Sequence, residues 1–106
     1  MRLEALLAAL RELFGPRLSF GEVAGEWLPV RWDGVEEARA WVKVGAPDLS
    51  WHLLNAAHDA VLEGMGRRGE HPGAWADASP EVVADVGSLR LVLRREGSEI
   101  AAVPLA

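Results

Sequence analysis

The pattern of apolar and polar positions changes period several times along the chain. From Asp48 to Met65 it is helical. At 100° per residue, Leu49, Leu53, Leu54, Ala56, Ala57, Ala60, Val61 and Met65 fall on one broad arc. His52, Asn55, Asp59 and Glu63 form a narrow opposite stripe, and His58 sits at the margin of the apolar arc. So wide an arc exceeds the apolar stripe of a surface helix, so the spacing predicts a largely covered helix with a sheet packed on it. Asp48, following Pro47, suits the N-cap. Gly64 and Gly66 weaken the end, where Arg67 and Arg68 complement the negative pole of the macrodipole.

Leu3–Phe14 repeats the helical spacing, with Leu3, Leu6, Leu7, Leu10, Leu13 and Phe14 on one face and Gly15-Pro16 as a stop. Beyond it the period shifts toward two. Leu18–Val23 and Glu26–Trp32 read as strands joined by a turn at Ala24-Gly25. Pro29 cannot donate to a ladder, which places its strand at an edge or beside a bulge. Asp33-Gly34 is a hairpin signal, leading to a strand over Ala38–Val44. A rival reading takes Asp33 and Glu36 as a capping box for a short helix through Val35, Ala38 and Val42. The valines favour the strand.

Gly66–Ser79 has no apolar period and reads as a loop. Ser79-Pro80-Glu81 resembles a helix start and predicts a short helix to Val86, closed by Gly87. Ser88–Arg95 alternates as a strand, Glu96-Gly97 turns, and Glu99–Val103 returns, with Pro104 ending it. No internal repeat is apparent. The expected fold is one α+β domain over residues 1–106, a mostly antiparallel sheet of four or five strands with helices 3–14 and 48–65 packed on it. The expected order is α-β-β-β-α-α(short)-β-β.

Composition narrows the chemistry. The chain has 106 residues, enough for a core without metal or disulfide staples, and its lack of cysteine excludes disulfides and thiolate chemistry. A net charge of −5 argues against nucleic acid. No stretch approaches the ~20 apolar residues of a membrane span. Glu4, Arg11 and Glu12 interrupt the apolar N-terminus, making it a poor signal peptide, so a cytoplasmic location is expected. Absence of Thr and Gln, with Arg far in excess of the single Lys43, is the coding bias of a high-GC bacterium.

No catalytic motif stands out. His52 and Asp59 lie two turns apart with Asn55 and Glu63, a spacing that does not match the HExxH zinc pattern and reads first as a solvated face. His52 and His58 project about 120° apart on a helix and cannot share an ion. No glycine-rich loop opens a helix to cradle phosphate, and no serine lies in a nucleophile elbow. Arg90 and Arg94 share a strand face and are expected to pair with glutamates such as Glu99.

Two places remain for function. In the 66–79 loop, Arg67 and Arg68 are candidates to clamp an anion, with His71 and Trp75 beside them to bind and stack a ligand. Among five tryptophans, Trp32 and Trp51 are assigned to the core or its edge, whereas Trp27, Arg31, Arg39 and Trp41 would share an exposed sheet face suited to an interface. The leading expectation is a small non-enzymatic interaction module, a homo-oligomer or an accessory subunit of a protein partner. A small-molecule or anion-binding protein, or an enzyme, using the 66–79 loop is the alternative. No cofactor, metal, nucleic acid or membrane is expected as a partner.

Overall fold

The computed structural model describes residues 3–43, 48–85 and 88–105. Helix α1 (Leu3–Phe14) precedes strands β1 (Leu18–Phe20), β2 (Trp27–Trp32) and β3 (Val35–Trp41). Helix α2 (Leu49–Arg67) and a 3-10 turn at Gly73–Trp75 lead to β4 (Ser79–Asp85), β5 (Ser88–Arg95) and β6 (Ser98–Leu105). The fold is α+β, but the strands form two three-stranded antiparallel meanders, β1-β2-β3 and β4-β5-β6, in place of one sheet of four or five.

The short helix expected from Ser79 to Val86 is a strand, so the order is α-β-β-β-α-β-β-β. β4 pairs with β5 along its whole length, from Ser79↔Arg94 to Asp85↔Ser88. That ladder, together with Val82 and Val83, outweighs the local capping signature. Pro80 is tolerated because β4 is an edge strand. Pro104 does not end β6, which runs on to Leu105 as the opposite edge. The closing residues proposed for that helix, Val86 and Gly87, lie outside the described residues.

Pro29 sits in the central strand β2, not at an edge, with a bulge between Val30 and Arg31 beside it. Its carbonyl accepts from the Gly21 amide on the β1 side. A strand residue points its amide and carbonyl the same way, so the missing N–H faces the point where β1 has ended. The ladder to β3 loses nothing. β3 begins directly after the Asp33-Gly34 turn, three residues before the expected start at Ala38 and without the rival helix. The proposed end at Val44 lies outside the described residues.

The two meanders repeat each other in detail. Each ends in a two-residue hairpin with left-handed backbone, Asp33 (φ 52°) and Gly34 (φ 79°) in one, Glu96 (φ 52°) and Gly97 (φ 79°) in the other. Each carries a bulge at the same place, two residue pairs in from the turn, which makes Glu37 and Ile100 the extra residues. The chain is therefore a duplicated α-β-β-β unit. Between 27–41 and 90–104 only Leu28/Leu91, Arg31/Arg94, Gly34/Gly97, Glu36/Glu99 and Ala38/Ala101 coincide. That is too little for the repeat to show in sequence.

The helices are exchanged between the units. α1 packs on β6, β5 and β1, while α2 packs on β3, β2 and β4, and the two helices touch. Extents of 40 × 36 × 18 Å describe a slab of one helical and one strand layer. Leu6, Leu10, Leu28, Val30, Leu53, Val61, Leu91 and Leu93 fill the space between them. On the other face of β5, Val92 is fully buried. Arg90 and Arg94, two residues either side of it on the same strand face, bond Glu99 and Glu81.

α2 starts as expected but runs past Gly64 and Gly66 to Arg67. Asp48 makes no capping bond to the backbone; its carboxylate meets His52 Nε2 at 3.0 Å instead. Gly64 is a close-approach site rather than a weak end. A Cβ there would fall inside contact distance of Cβ, Cγ and Cδ1 of Trp32, which is 1% exposed. Helix propensity alone favours Gly64→Ala by about 1 kcal/mol. Here the substitution is expected to destabilise by about 1–3 kcal/mol through overpacking. A urea titration against wild type, with the open position Gly66→Ala as control, checks the sign.

Candidate functional site

The 66–79 loop is tied to the body by the residues that made it a candidate. Arg67 Nε lies 3.2 Å from the Glu37 carboxylate, whereas Arg68 Nη1 lies 3.0 Å from Asp33. The two guanidinium groups diverge onto different acids and do not converge on a common point. His71 is exposed, and its Nδ1 accepts from the Gly73 amide at 2.9 Å. Trp75 is half-buried, edge-on to both Phe14 (5.8 Å) and Trp32 (6.5 Å). His58, 6% exposed and stacked on Phe14, donates from Nε2 to the Trp75 carbonyl at 2.9 Å.

Arg17 completes this assembly. Its guanidinium lies 4.7 Å from the centre of the Trp32 ring, bonds Asp33 through Nε at 2.9 Å, and bonds both oxygens of Glu70 at 2.7 Å. These bonds hold both carboxyls below their ordinary range and raise the Arg17 pKa. One cation thus joins the start of β1, the β2–β3 hairpin and the loop after α2.

A second locus lies at the free side of β3. Trp27 and Trp41 are cross-strand partners. Val42 donates its amide to the Glu26 carbonyl, so Ala38 and Ala40 also face β2, and Trp27↔Trp41 is a close pair without mutual hydrogen bonds. Trp41 donates Nε1–H to Glu26 at 3.0 Å. Its ring meets His52 edge-on at 5.4 Å, and His52 meets Trp51 in the same way at 5.2 Å. Asn55 Nδ2 donates to the Trp51 carbonyl at 2.9 Å.

Trp27, Trp41, His52 and Asn55 border an open groove of about 410 Å³. One wall is the consecutive run Ala38–Trp41, and the other is His52, Asn55, Ala56 and Asp59 of α2, with Trp27 at the margin. Small Ala38 and Ala40 leave the space; larger residues there would close it. Trp27 and Trp51 are each 50% exposed, which corrects the assignment of Trp51 to the core or its edge. Trp51 is in the first turn of α2, on the flank between the buried arc and the polar stripe.

The structure therefore brings Trp27, Arg39 and Trp41 together and leaves Arg31 apart. Arg31 lines a separate concavity on the β1 side with Phe20, Glu22 and Val23. The polar stripe of α2, read from sequence as a solvated face, supplies the facing wall. Its 3-4-4 spacing was visible, but its juxtaposition with Ala38–Trp41 was not. Among the described residues, no three acidic or histidine side chains are grouped to hold a metal ion, and no helix is long and apolar enough to cross a membrane.

Compared with known protein families, curated proteins and solved structures, the chain matches none. The site is therefore read from its own geometry.

The Arg17 assembly makes stability depend on acid. Asp33 and Glu70 have ordinary values of 3.8 and 4.5, and Arg17 lowers both in the folded state. Their contribution is complete above those values and is lost as pH falls through them toward the folded-state values. Urea midpoints are expected to drop between about pH 7 and about pH 3.5, with Arg17→Met showing a shallower drop. An unchanged slope in that variant would assign the acid sensitivity to other carboxylates.

Proposed function

We propose that the protein is a small non-enzymatic binding module, self-associating or an accessory subunit, whose working surface is the groove between β3 and α2. The observation that carries this reading is the placement of Trp27 and Trp41 on a concave, partly exposed site, with exposed Trp51 against its His52 wall. Aromatic side chains bury large area at low entropic cost and dominate interface energetics. Around them, His52 is fixed between Asp48 and two indole rings, so the surface is preorganised.

The alternative, an anion or small-molecule site in the 66–79 loop, requires Arg67 and Arg68 to leave Glu37 and Asp33. It also requires Trp75 to leave its packing on Phe14 and Trp32. The groove needs no such rearrangement, which favours it.

Native mass spectrometry with sedimentation of the untagged protein tests the choice. An assembly or bound chain is expected, weakened roughly 30-fold or more by Trp27→Ser or Trp51→Ser and unchanged by Arg67→Ala. Loss of a bound small molecule in Arg67→Ala and His71→Ala, with Trp27→Ser silent, would transfer the function to the loop.

A further inference from the structure

We propose that the groove receives an extended, cationic polypeptide segment that adds to β3 as a fourth strand. This rests on the groove being the working surface and names what occupies it. Three independent features support it.

The first is backbone direction. β3 is the last strand of its sheet among the described residues. Ala38, Ala40 and Val42 direct their amides and carbonyls to β2, so those of Arg39 and Trp41 point outward along the wall of the groove. An incoming strand there meets two donors and two acceptors.

The second is the internal comparison that the duplication provides. The positions of β6 equivalent to Arg39 and Trp41 are Ala102 and Pro104, because Val30↔Ala38 corresponds to Leu93↔Ala101. Proline at the outward position deletes a donor and blocks strand addition. The same edge is thus closed in one unit and open in the other. Within β3 itself, the bulge at Glu37 and the Glu36–Arg39 ion pair (3.2 Å) guard the first half. Ala38–Trp41 is left as the pairing stretch.

The third is charge. Arg39 is matched by Glu36, whereas Asp59 in the groove and Glu63 one turn on have no ion-pair partner among the described residues. The lining charge left without a neighbouring counter-ion is therefore negative, and the chain as a whole carries a net charge of −5. An incoming lysine or arginine enters a groove lined by the Asp59 carboxylate and by the indoles of Trp27 and Trp41. A second copy of this chain brings the same excess of negative charge and is the weaker fit.

The test is a displayed library of random octapeptides, selected on the full-length protein and counter-selected on Trp27→Ser. Enriched peptides are expected to alternate apolar and other residues, to carry Lys or Arg, and to lack acids and proline. Binding the best of them should slow hydrogen exchange at the Arg39 and Trp41 amides at least about tenfold, as strand pairing requires. Asp59→Asn should weaken it about threefold, and N-methylation at alternate peptide amides should abolish it. Binding indifferent to N-methylation, or selection of acidic peptides, would overturn the proposal while leaving the groove as a binding surface. So would a lack of enrichment alongside a self-assembly that Trp27→Ser disrupts. No enrichment and no Trp27-dependent assembly would overturn both readings.

Discussion

The contact between Trp32 and Gly64 is the constraint on which the rest of the molecule depends. An indole at the last position of β2 lies against α2 where the helix has no side chain, so helix and hairpin approach backbone to ring. Trp75 closes the indole edge-on, and Arg17 covers it at 4.7 Å while bonding Asp33 and Glu70. A single buried ring thereby sets the position of α2 over the first meander. The β2–β3 hairpin and the loop after α2 are held to the same point. Since α2 supplies one wall of the groove and β3 the other, this packing also sets the groove's width.

Exchange of the helices gives the duplicated unit its cohesion. Neither three-stranded meander is covered mainly by the helix that precedes it; each borrows most of its cover from the other unit. A lone meander of this size exposes one apolar face and is marginal in water. Interlocking the two supplies both faces at once, and also frees the edges to diverge. β6 carries Pro104, whereas β3 keeps Trp41 at the corresponding place, and with it an outward donor and a large aromatic ring. Two alike meanders with different edge residues thus present one open edge and one closed edge on the same scaffold.

The loop between α2 and β4 shows why residue type alone misleads. Arginines, a histidine and a tryptophan in a glycine-rich stretch fit a ligand site, and they fit a latch equally well. Their roles were settled by where the acids lie. Asp33 and Glu37 come from a hairpin some thirty residues earlier in the chain, and Arg17, which holds Glu70, comes from before β1. Such long-range pairs leave no periodic trace. The groove was half legible. Two strands about the Asp33-Gly34 turn follow from alternation, but that turn alone would pair Trp27 with Ala40. It is the extra residue Glu37 that brings Trp41 opposite Trp27, while the α2 wall follows from nothing local.

What the sequence determined by itself is what short-range physics controls. The helical periods of Leu3–Phe14 and Asp48–Met65 appear in the structure, as do both Asx/Glx-Gly-type turns at Asp33-Gly34 and Glu96-Gly97, because each depends on side-chain spacing or on backbone dihedrals a few residues apart. Tertiary structure alone decided that Ser79–Asp85 is a strand, since its ladder to β5 overrides a local helix start. It also decided that the strands divide into two sheets, that each helix covers the other unit, and that the polar stripe of α2 faces the edge of β3. These choices turn on which surfaces bury each other, a free energy shared by residues distant in the chain and therefore absent from any one stretch of it.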